Sequence, residues 1–400
     1  MHIAIAAPIA TADLLVDLDP AISRSFPEGR AEAPLISHLI LELLRQGHRV
    51  LAITTDRNLD DDQPPFVYEQ GQLTYVVAPS RQRIFRPNGK RPGRTADFFR
   101  VERKHILAIL RQYKPEVVHA HWTYEFAMAA MAYDPNALIT VHDNARLILK
   151  YIPTLERLFM LGMARYVFRK GRRFTAVSPY TAQSVQPWTS ARIQVVPNPV
   201  MMPNLEDVAR PAHPVIAMAV NGWALHKNLE TALLAFKKIQ QQRPDAVLAG
   251  YGTAFEPGKQ ADKFCQKHAI TNVQFLGLTP HQTMLQGMAQ SDLVLHTSLE
   301  ESFGMVPAEA MACGVPVVAG QRSGAVPWVV GEGGLLVDVT DTDAIATAVN
   351  RLLTDRPLAQ SIARQAKASV ADRFNLTYVT AQYMAQYAQM LHPDHRSVAV

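Results

Sequence analysis

The chain has 400 residues, 48% of them hydrophobic and 19% charged, which excludes a disordered protein and exceeds what one hydrophobic core usually holds. Two cysteines, Cys265 and Cys313, without metal-like spacing exclude a disulfide framework and suit a reducing cytoplasm. The formal net charge of +5 is uneven: residues 1–200 carry 25 Lys/Arg against 18 Asp/Glu, and residues 201–400 carry 15 against 17. The first half alone is therefore suited to a negatively charged partner.

In chain order, the apolar start from Met1 to Pro8 lacks a basic leader and is followed by Asp13, Asp17 and Asp19, so it reads as a buried strand rather than a signal peptide. No apolar run approaches the roughly 18 residues that span a bilayer. Short β-branched runs ending at Ile5, Ile53, Val118, Val141 and Val177 alternate with helical stretches, among them Leu35–Arg45 closed by Gly47. That alternation predicts a parallel sheet with helices on both faces. Asp60-Asp61-Asp62, beside Gln63-Pro64-Pro65, reads as a solvated loop rather than an acidic metal site.

Two basic tracts follow: Arg81, Arg83, Arg86, Lys90, Arg91 and Arg94 without an intervening acid, then Arg165, Arg169, Lys170, Arg172 and Arg173 behind apolar Leu158–Leu161 and Met163. The second predicts a basic amphipathic helix, either a solvated face over an ordinary core stripe or a seat on an anionic membrane surface. No recognition motif or aromatic interleaving accompanies them, so nucleic acid is not the expected partner. A proline-rich stretch, residues 195–203, separates a second series of strands near Val215–Val220, Ala246–Ala249, Val273–Phe275, Leu293–His296 and Val315–Val318. The expected architecture is two doubly wound α/β domains facing across a cleft, residues 1–198 and 199–375. A last helical stretch, Leu376–Leu391 within 376–400, is placed to cross back to the first.

Residues 293–320 carry the chemistry. A strand ends at His296, a polar loop follows, a helix starts near Gly304 with Pro307 in its first turn, and Gly314 ends it. Such a strand–loop–helix unit presents free backbone N–H groups to an anion. Glu301 lies in the loop and Glu309 more than a turn into the helix, where a carboxylate suits a ribose diol and stays clear of phosphate. Taken alone, such a pair reads rather as helix N-terminal acids favoured by the macrodipole. After the first strand of the second series, Gly222 permits close backbone approach and Lys227 is placed to neutralise a diphosphate.

The stretch Glu301-x7-Glu309 followed by Glu309-Ala-Met-Ala-Cys-Gly-Val-Pro-Val-Val-Ala319 resembles, almost residue for residue, the signature of glycosyltransferase family 4. Pro115–Trp122, Thr140-Val141-His142-Asp143, Ala176-Val177-Ser178 and Val196-Pro197-Asn198 are similar to that family's weaker markers, in the family's order. The resemblance implies a GT-B fold and a retaining transfer of a sugar from a nucleotide diphosphate donor to a glycan or lipid-linked acceptor in envelope or polysaccharide synthesis. It implies no cofactor and no metal, and a cytoplasmic enzyme, peripheral at the inner face of the membrane.

By the same resemblance, Glu309 binds the donor ribose and Glu301 the transferred sugar, while Ser302, Phe303, Gly304 and Met305 line the donor through backbone N–H groups. Gly222, His226 and Lys227 take the diphosphate. His121 serves catalysis with Glu301 and Lys227, and His119, His142 and Asp143 stand on the acceptor side. The three histidines read as readily as polar caps at strand ends. One position departs from the family: Trp223 stands where arginine is usual, leaving His226 as the stand-in cation. The competing readings are a GT-B-type sugar-nucleotide epimerase, a phosphorylase, and a non-catalytic nucleotide-sugar-binding subunit.

Overall fold

The computed structural model describes residues 1–15, 19, 21, 26–30, 34–60, 62–204 and 211–392; Asp17 and Asp61 of the sequence reading lie outside them. The chain falls into two compact units, Met1–Pro199 together with the segment from Leu376 onward, and Val200–Asn375.

Among the described residues the first unit is built on eight strands: β1 (His2–Ala6), β2 (Arg49–Asp56), β3 (Phe66–Gln70), β4 (Leu73–Pro79), β5 (Val117–His121), β6 (Leu138–Val141), β7 (Arg173–Ala176) and β8 (Ile193–Val195). Their order across the sheet is β3-β4-β2-β1-β5-β6-β7-β8. Every pairing is parallel except β3 with β4. The apolar runs Ile3–Ala6, Val50–Ile53 and Leu138–Val141 are buried throughout, as expected of parallel strands covered on both faces. Helix Leu35–Arg45 buries Leu35, Ile36, Leu39, Ile40 and Leu43, one stripe at helical spacing, and ends before Gly47 at φ +81. β3, β4 and β8 were not among the strands read from sequence.

The second unit holds, among the described residues, β9 (Val215–Ala219), β10 (Val247–Tyr251), β11 (Val273–Gly277), β12 (Leu293–His296), β13 (Val317–Gly320) and β14 (Gly334–Val337), all parallel, in the order β11-β10-β9-β12-β13-β14. The strand predicted at Val315–Val318 begins two residues later, because Val315 still closes the preceding helix through its N–H to the Ala310 carbonyl.

Both sheets reverse their winding beside their first strand, at β1/β5 and at β9/β12. In open α/β sheets the crevice outside the carboxyl ends of the strands at such a reversal is where ligands bind. Helix Leu376–Leu391 belongs to the first unit and packs on β5 and on helix Leu35–Arg45. Tyr383 and Tyr387, four apart and hence on one helix face, are buried there, while Tyr378 is exposed.

The first basic tract is not a uniform solvated face. Arg81 is fully buried and forked between Glu102 (Nη2 to Oε2 2.8 Å) and Asp97 (Nη2 to Oδ1 2.7 Å), with Nη1 donating to the Pro92 carbonyl at 2.9 Å. Burial opposes its charge, and the hydrogen bonds to Glu102 and Asp97 outweigh that and raise its pKa. Arg94 is buried as well. The second tract is a helix, Leu155–Lys170, that buries Met160, Met163, Ala164, Val167 and Phe168.

Candidate functional site

In the second unit the loop after β9 and the loop after β12 are knitted together. Gly222, at φ +79, turns the chain, and its N–H donates to Thr253 Oγ1 at 2.9 Å. A short turn, Leu225–Lys227, follows, ending in Asn228 at φ +52, whose Nδ2 donates to the Val339 carbonyl at 2.7 Å. The Leu299 N–H donates to the His226 carbonyl at 2.6 Å, and Thr297 Oγ1 donates to the Lys227 carbonyl at 3.3 Å. These bonds carry Lys227 to the mouth of the crevice, where its Nζ donates to Glu301 Oε1 at 2.7 Å.

The Glu301 backbone is fixed independently, its carbonyl accepting the Ala325 N–H at 2.9 Å. Its side chain keeps 20% of its surface exposed. Burial opposes ionisation of Glu301, but the charge of Lys227, then His296, then hydrogen bonds from Lys227 and Ser298 hold its carboxyl below the usual range. His296, the last residue of β12, is buried with Nε2 at 3.7 Å from Glu301 Oε1 and without a hydrogen-bond partner. Burial, with the Lys227 charge, pushes its imidazole down to about 4 against the pull of Glu301. His226 is likewise lowered, by burial first and Lys227 second.

Gly304, at φ +97, is the residue before helix Met305–Ala312, so the first-turn N–H groups of Met305 and its successors lack intrahelical acceptors. Phe303 anchors this end: its ring is buried edge-on to Phe374 at 5.3 Å and Trp328 at 6.2 Å, leaving its backbone as the part available to a ligand. Ser302 is half-buried in the same loop. Glu309 sits a turn deeper in the helix, and its Oε1 lies 2.8 Å from His281 Nε2 at the start of helix His281–Gln290. Trp223 turns away from a cation's role: its ring packs at 5.7 Å on Phe264, which stacks on His268 at 4.2 Å.

In the first unit His119 and His121, two apart and so on one face of β5, open a buried polar row. His119 Nδ1 lies 2.8 Å from Tyr387 Oη and its Nε2 2.7 Å from Thr140 Oγ1, which continues to Thr175 Oγ1 at 2.7 Å. Both ring nitrogens are thus spent inside the protein, and His119 supports the row rather than offering an atom to an acceptor. His121 Nδ1 lies 2.8 Å from His142 Nε2, while His121 Nε2 is buried without a partner. Trp122, at φ +66, stacks on His142 at 4.1 Å. Burial pushes His119 and His142 down to about 3, and burial together with its two neighbours holds His121 well below the ordinary imidazole range. All three are neutral at pH 7. Asp143 accepts the Tyr124 hydroxyl at 2.9 Å at the edge of a pocket of about 410 Å³.

Sequence reasoning set Lys227 and Glu301 in one catalytic group, and the structure brings them together; it set His121 and His142 in different roles, and the structure joins them at 2.8 Å. It missed His296, although His296 closes the quoted strand, and it missed His281, whose pairing with Glu309 spans 28 residues. The tyrosines opposite His119 were legible only as a four-residue spacing. Among the described residues no group of three or more His, Cys, Asp or Glu is placed to hold a metal ion.

Two doubly wound parallel-sheet units, each with polar side chains gathered at its winding reversal, define a GT-B architecture. The sucrose-phosphate synthase of Thermosynechococcus elongatus shares that fold at a TM-score of 0.74 and 19% identity, over 98% of this chain and all of the other. The family described as Glycosyltransferase Family 4 matches residues 35–201, and that described as Glycosyl transferases group 1 matches residues 205–369. The chain belongs to glycosyltransferase family 4. It is 35% identical over 183 residues, 45% of its length, to the N-acetyl-alpha-D-glucosaminyl L-malate synthase of Bacillus anthracis. It is 33% identical over 146 residues, 32% of its length, to the GDP-mannose-dependent alpha-(1-6)-phosphatidylinositol monomannoside mannosyltransferase of Mycolicibacterium smegmatis. The alignments span 46% and 36% of those two proteins, less than half of each.

Proposed function

We propose that the protein is a retaining glycosyltransferase that moves a sugar from a nucleotide diphosphate donor to a glycan or glycolipid acceptor in envelope or polysaccharide synthesis. The observation that carries this reading is the Lys227–Glu301 pair at the β9/β12 reversal, with Glu309 one turn further along the following helix. Departure of a nucleoside diphosphate leaves positive charge on the sugar and negative charge on the leaving phosphate. Lys227 and the first-turn N–H groups after Gly304 stabilise the phosphate, as fixed dipoles and charges do best in a partly dry site. Glu301 takes hydroxyls of the transferred sugar and Glu309 the ribose diol. A donor therefore replaces two existing contacts, Lys227 with Glu301 and His281 with Glu309. No metal is required in this scheme.

His121 serves the reacting sugar through its unpartnered Nε2, held in orientation by His142. Retention follows from front-side attack, with leaving phosphate and incoming hydroxyl on one face. A cytoplasmic enzyme at the inner face of the membrane fits the exposed side of helix Leu155–Lys170, where Leu155, Leu158 and Tyr166 stand out beside Arg165 and Arg169. The Mycolicibacterium relative, by its name, acts on a phosphatidylinositol lipid.

The test is a thermal-shift screen with nucleotide diphosphates and their sugars on the protein and on Glu309→Ala. A stabilising shift with one base, reduced in the variant, is the expected result; a ligand at about 100 times its Kd adds roughly 2.7 kcal/mol. No shift with any nucleotide sinks the donor site. NMR of the product's anomeric centre decides retention, and donor isomerised without acceptor points to the epimerase.

A further inference from the structure

The pocket beside Asp143 lies wholly within the first unit, among the segments that follow the carboxyl ends of β1, β2, β4, β5 and β6. Its volume, about 410 Å³, falls in the range of small-molecule sites. Four guanidinium groups line it: Arg30, Arg57, Arg94 and Arg157. Three carboxylates share the lining, and each has a partner within the protein. Glu125 accepts from Arg30 Nη1 at 2.6 Å, and Asp143 accepts from the Tyr124 hydroxyl at 2.9 Å. The third, Glu156, is 3.7 Å from Arg94 Nη2.

Arg94 is the unusual member. It is 2% exposed, its Nη1 donates to the carbonyls of Arg81 and Gln82, and its Nε is buried without any hydrogen-bond partner. A buried guanidinium N–H left unmade is costly, so such groups are normally satisfied by protein or ligand. Burial first, then the neighbouring charges of Arg57 and Arg30, act against the Arg94 charge, and Glu156 and Glu102 offset them only in part. Crowded cations in a pocket are relieved by an anion, and a fork of N–H donors matches the oxygens of phosphate or carboxylate.

We infer that this pocket binds an anionic group, a phosphate or a carboxylate, through Arg94, Arg57 and Arg157, and that the acceptor carries that group. The link to the acceptor rests on the transferase reading; the anion site does not. Its walls suit the remainder of such a molecule: Trp122 and Tyr124 offer apolar faces, and Asp143 offers an acceptor for hydroxyls.

The experiment measures binding of a hexose phosphate, a small dicarboxylate and the neutral hexose by calorimetry at constant ionic strength. The protein is saturated with a nucleoside diphosphate, so that Lys227 is not the anion's site. The phosphate or the dicarboxylate should bind and the neutral hexose should bind at least tenfold more weakly. Arg57→Gln and Arg157→Gln, both at less buried positions than Arg94, should each weaken anion binding about tenfold, the effect of losing one charge-assisted hydrogen bond. Arg94→Lys, which keeps the charge and loses the fork, should weaken it comparably while the protein stays folded by circular dichroism. Equal binding of charged and neutral sugars, or unchanged affinity in the Arg57 and Arg157 variants, overturns the inference.

Vesicles with and without an anionic phospholipid form a second arm. Binding that soluble hexose phosphate displaces assigns the anion to a lipid headgroup, and binding of soluble anions alone assigns it to a free acceptor. Anion binding that persists in a protein with no nucleotide affinity refutes the donor reading and leaves this site standing.

Discussion

At the reversal of the second sheet, Lys227 and Glu301 meet as an ion pair with about a fifth of each side chain exposed. At the reversal of the first, His119, His121 and His142 lie in a buried row of hydroxyls and imidazoles that carries no charge at neutral pH. The same topology thus yields one crevice prepared for charge separation and one prepared for uncharged hydrogen bonding. The difference originates in the loops. The loop after β12 runs through polar residues to a glycine-led helix, whereas β5 carries its histidines inside the sheet, under the tyrosines of the last helix. A partly exposed charged pair tolerates truncation structurally, whereas truncation within a buried, mutually bonded row is felt by the fold.

The strongest break of that contrast is at Lys227. Lys227→Ala should lower kcat/KM for a nucleotide-sugar substrate by roughly 10²–10³, the usual effect of removing one preorganised transition-state donor. Its folding stability should change by no more than about 1 kcal/mol, since a partly exposed pair contributes little. Adding Glu301→Gln to it should cost less than the two single effects combined, because the residues act as a unit. A rate within a few-fold of the parent would remove Lys227 from the chemistry.

The reverse experiment is His119→Phe. It removes the buried partner of the Tyr387 hydroxyl, while Thr140 keeps Thr175, and should cost about 1–3 kcal/mol of stability by denaturant unfolding. Full stability in that variant would show the row to be slack.

How much of this contrast was legible in the sequence depended on distance along the chain. The strand Leu293–His296, the loop and the helix start after Gly304 were readable because glycine, proline and β-branched residues punctuate locally. Helices Leu35–Arg45 and Leu376–Leu391 were readable for the same reason. The hairpin of β3 and β4 was missed: Phe66–Gln70 alternates weakly, and its neighbour is buried through the partnership with β2 that no local pattern announces. His119 with Tyr387 is a contact across 268 residues, and only the fold supplies it. Charge was least legible. The burial of Arg81 and Arg94 had no signal in the tract that holds them, and the pocket cations of the first unit were scattered over Arg30, Arg57, Arg94 and Arg157.

The pH dependence sharpens the comparison at smaller scale. Histidines held below their ordinary pKa bind no proton when folded but do so when unfolded. Between about pH 6.5 and 3 the unfolded chain therefore gains protons that the native row refuses, and stability falls as the pH falls. Above pH 7 this source of variation disappears. Between pH 7 and 6 each such histidine contributes roughly 0.7 kcal/mol to the slope. His119→Phe should flatten the parent's acid slope by about that amount. Equal slopes in the parent and the His119 variant would mean that His119 titrates in the native protein.

The smallest effect belongs to Trp223, where the family usually has arginine. Its ring packs on Phe264 within the aromatic run that ends at His268. Trp223→Arg therefore exchanges an aromatic contact, worth about 0.5–1.5 kcal/mol beyond burial, for a cation beside the turn that carries Lys227. The expected result is a loss of about 1 kcal/mol in stability with nucleotide diphosphate affinity changed by less than threefold, because the loop that aims the side chain at 223 is shaped around the indole. A tenfold gain in affinity would instead show that the crevice lacks a second cation and that the tryptophan weakens donor binding. His226→Gln separates the two cases: with burial and Lys227 holding that imidazole neutral, its loss should not reduce affinity through lost charge.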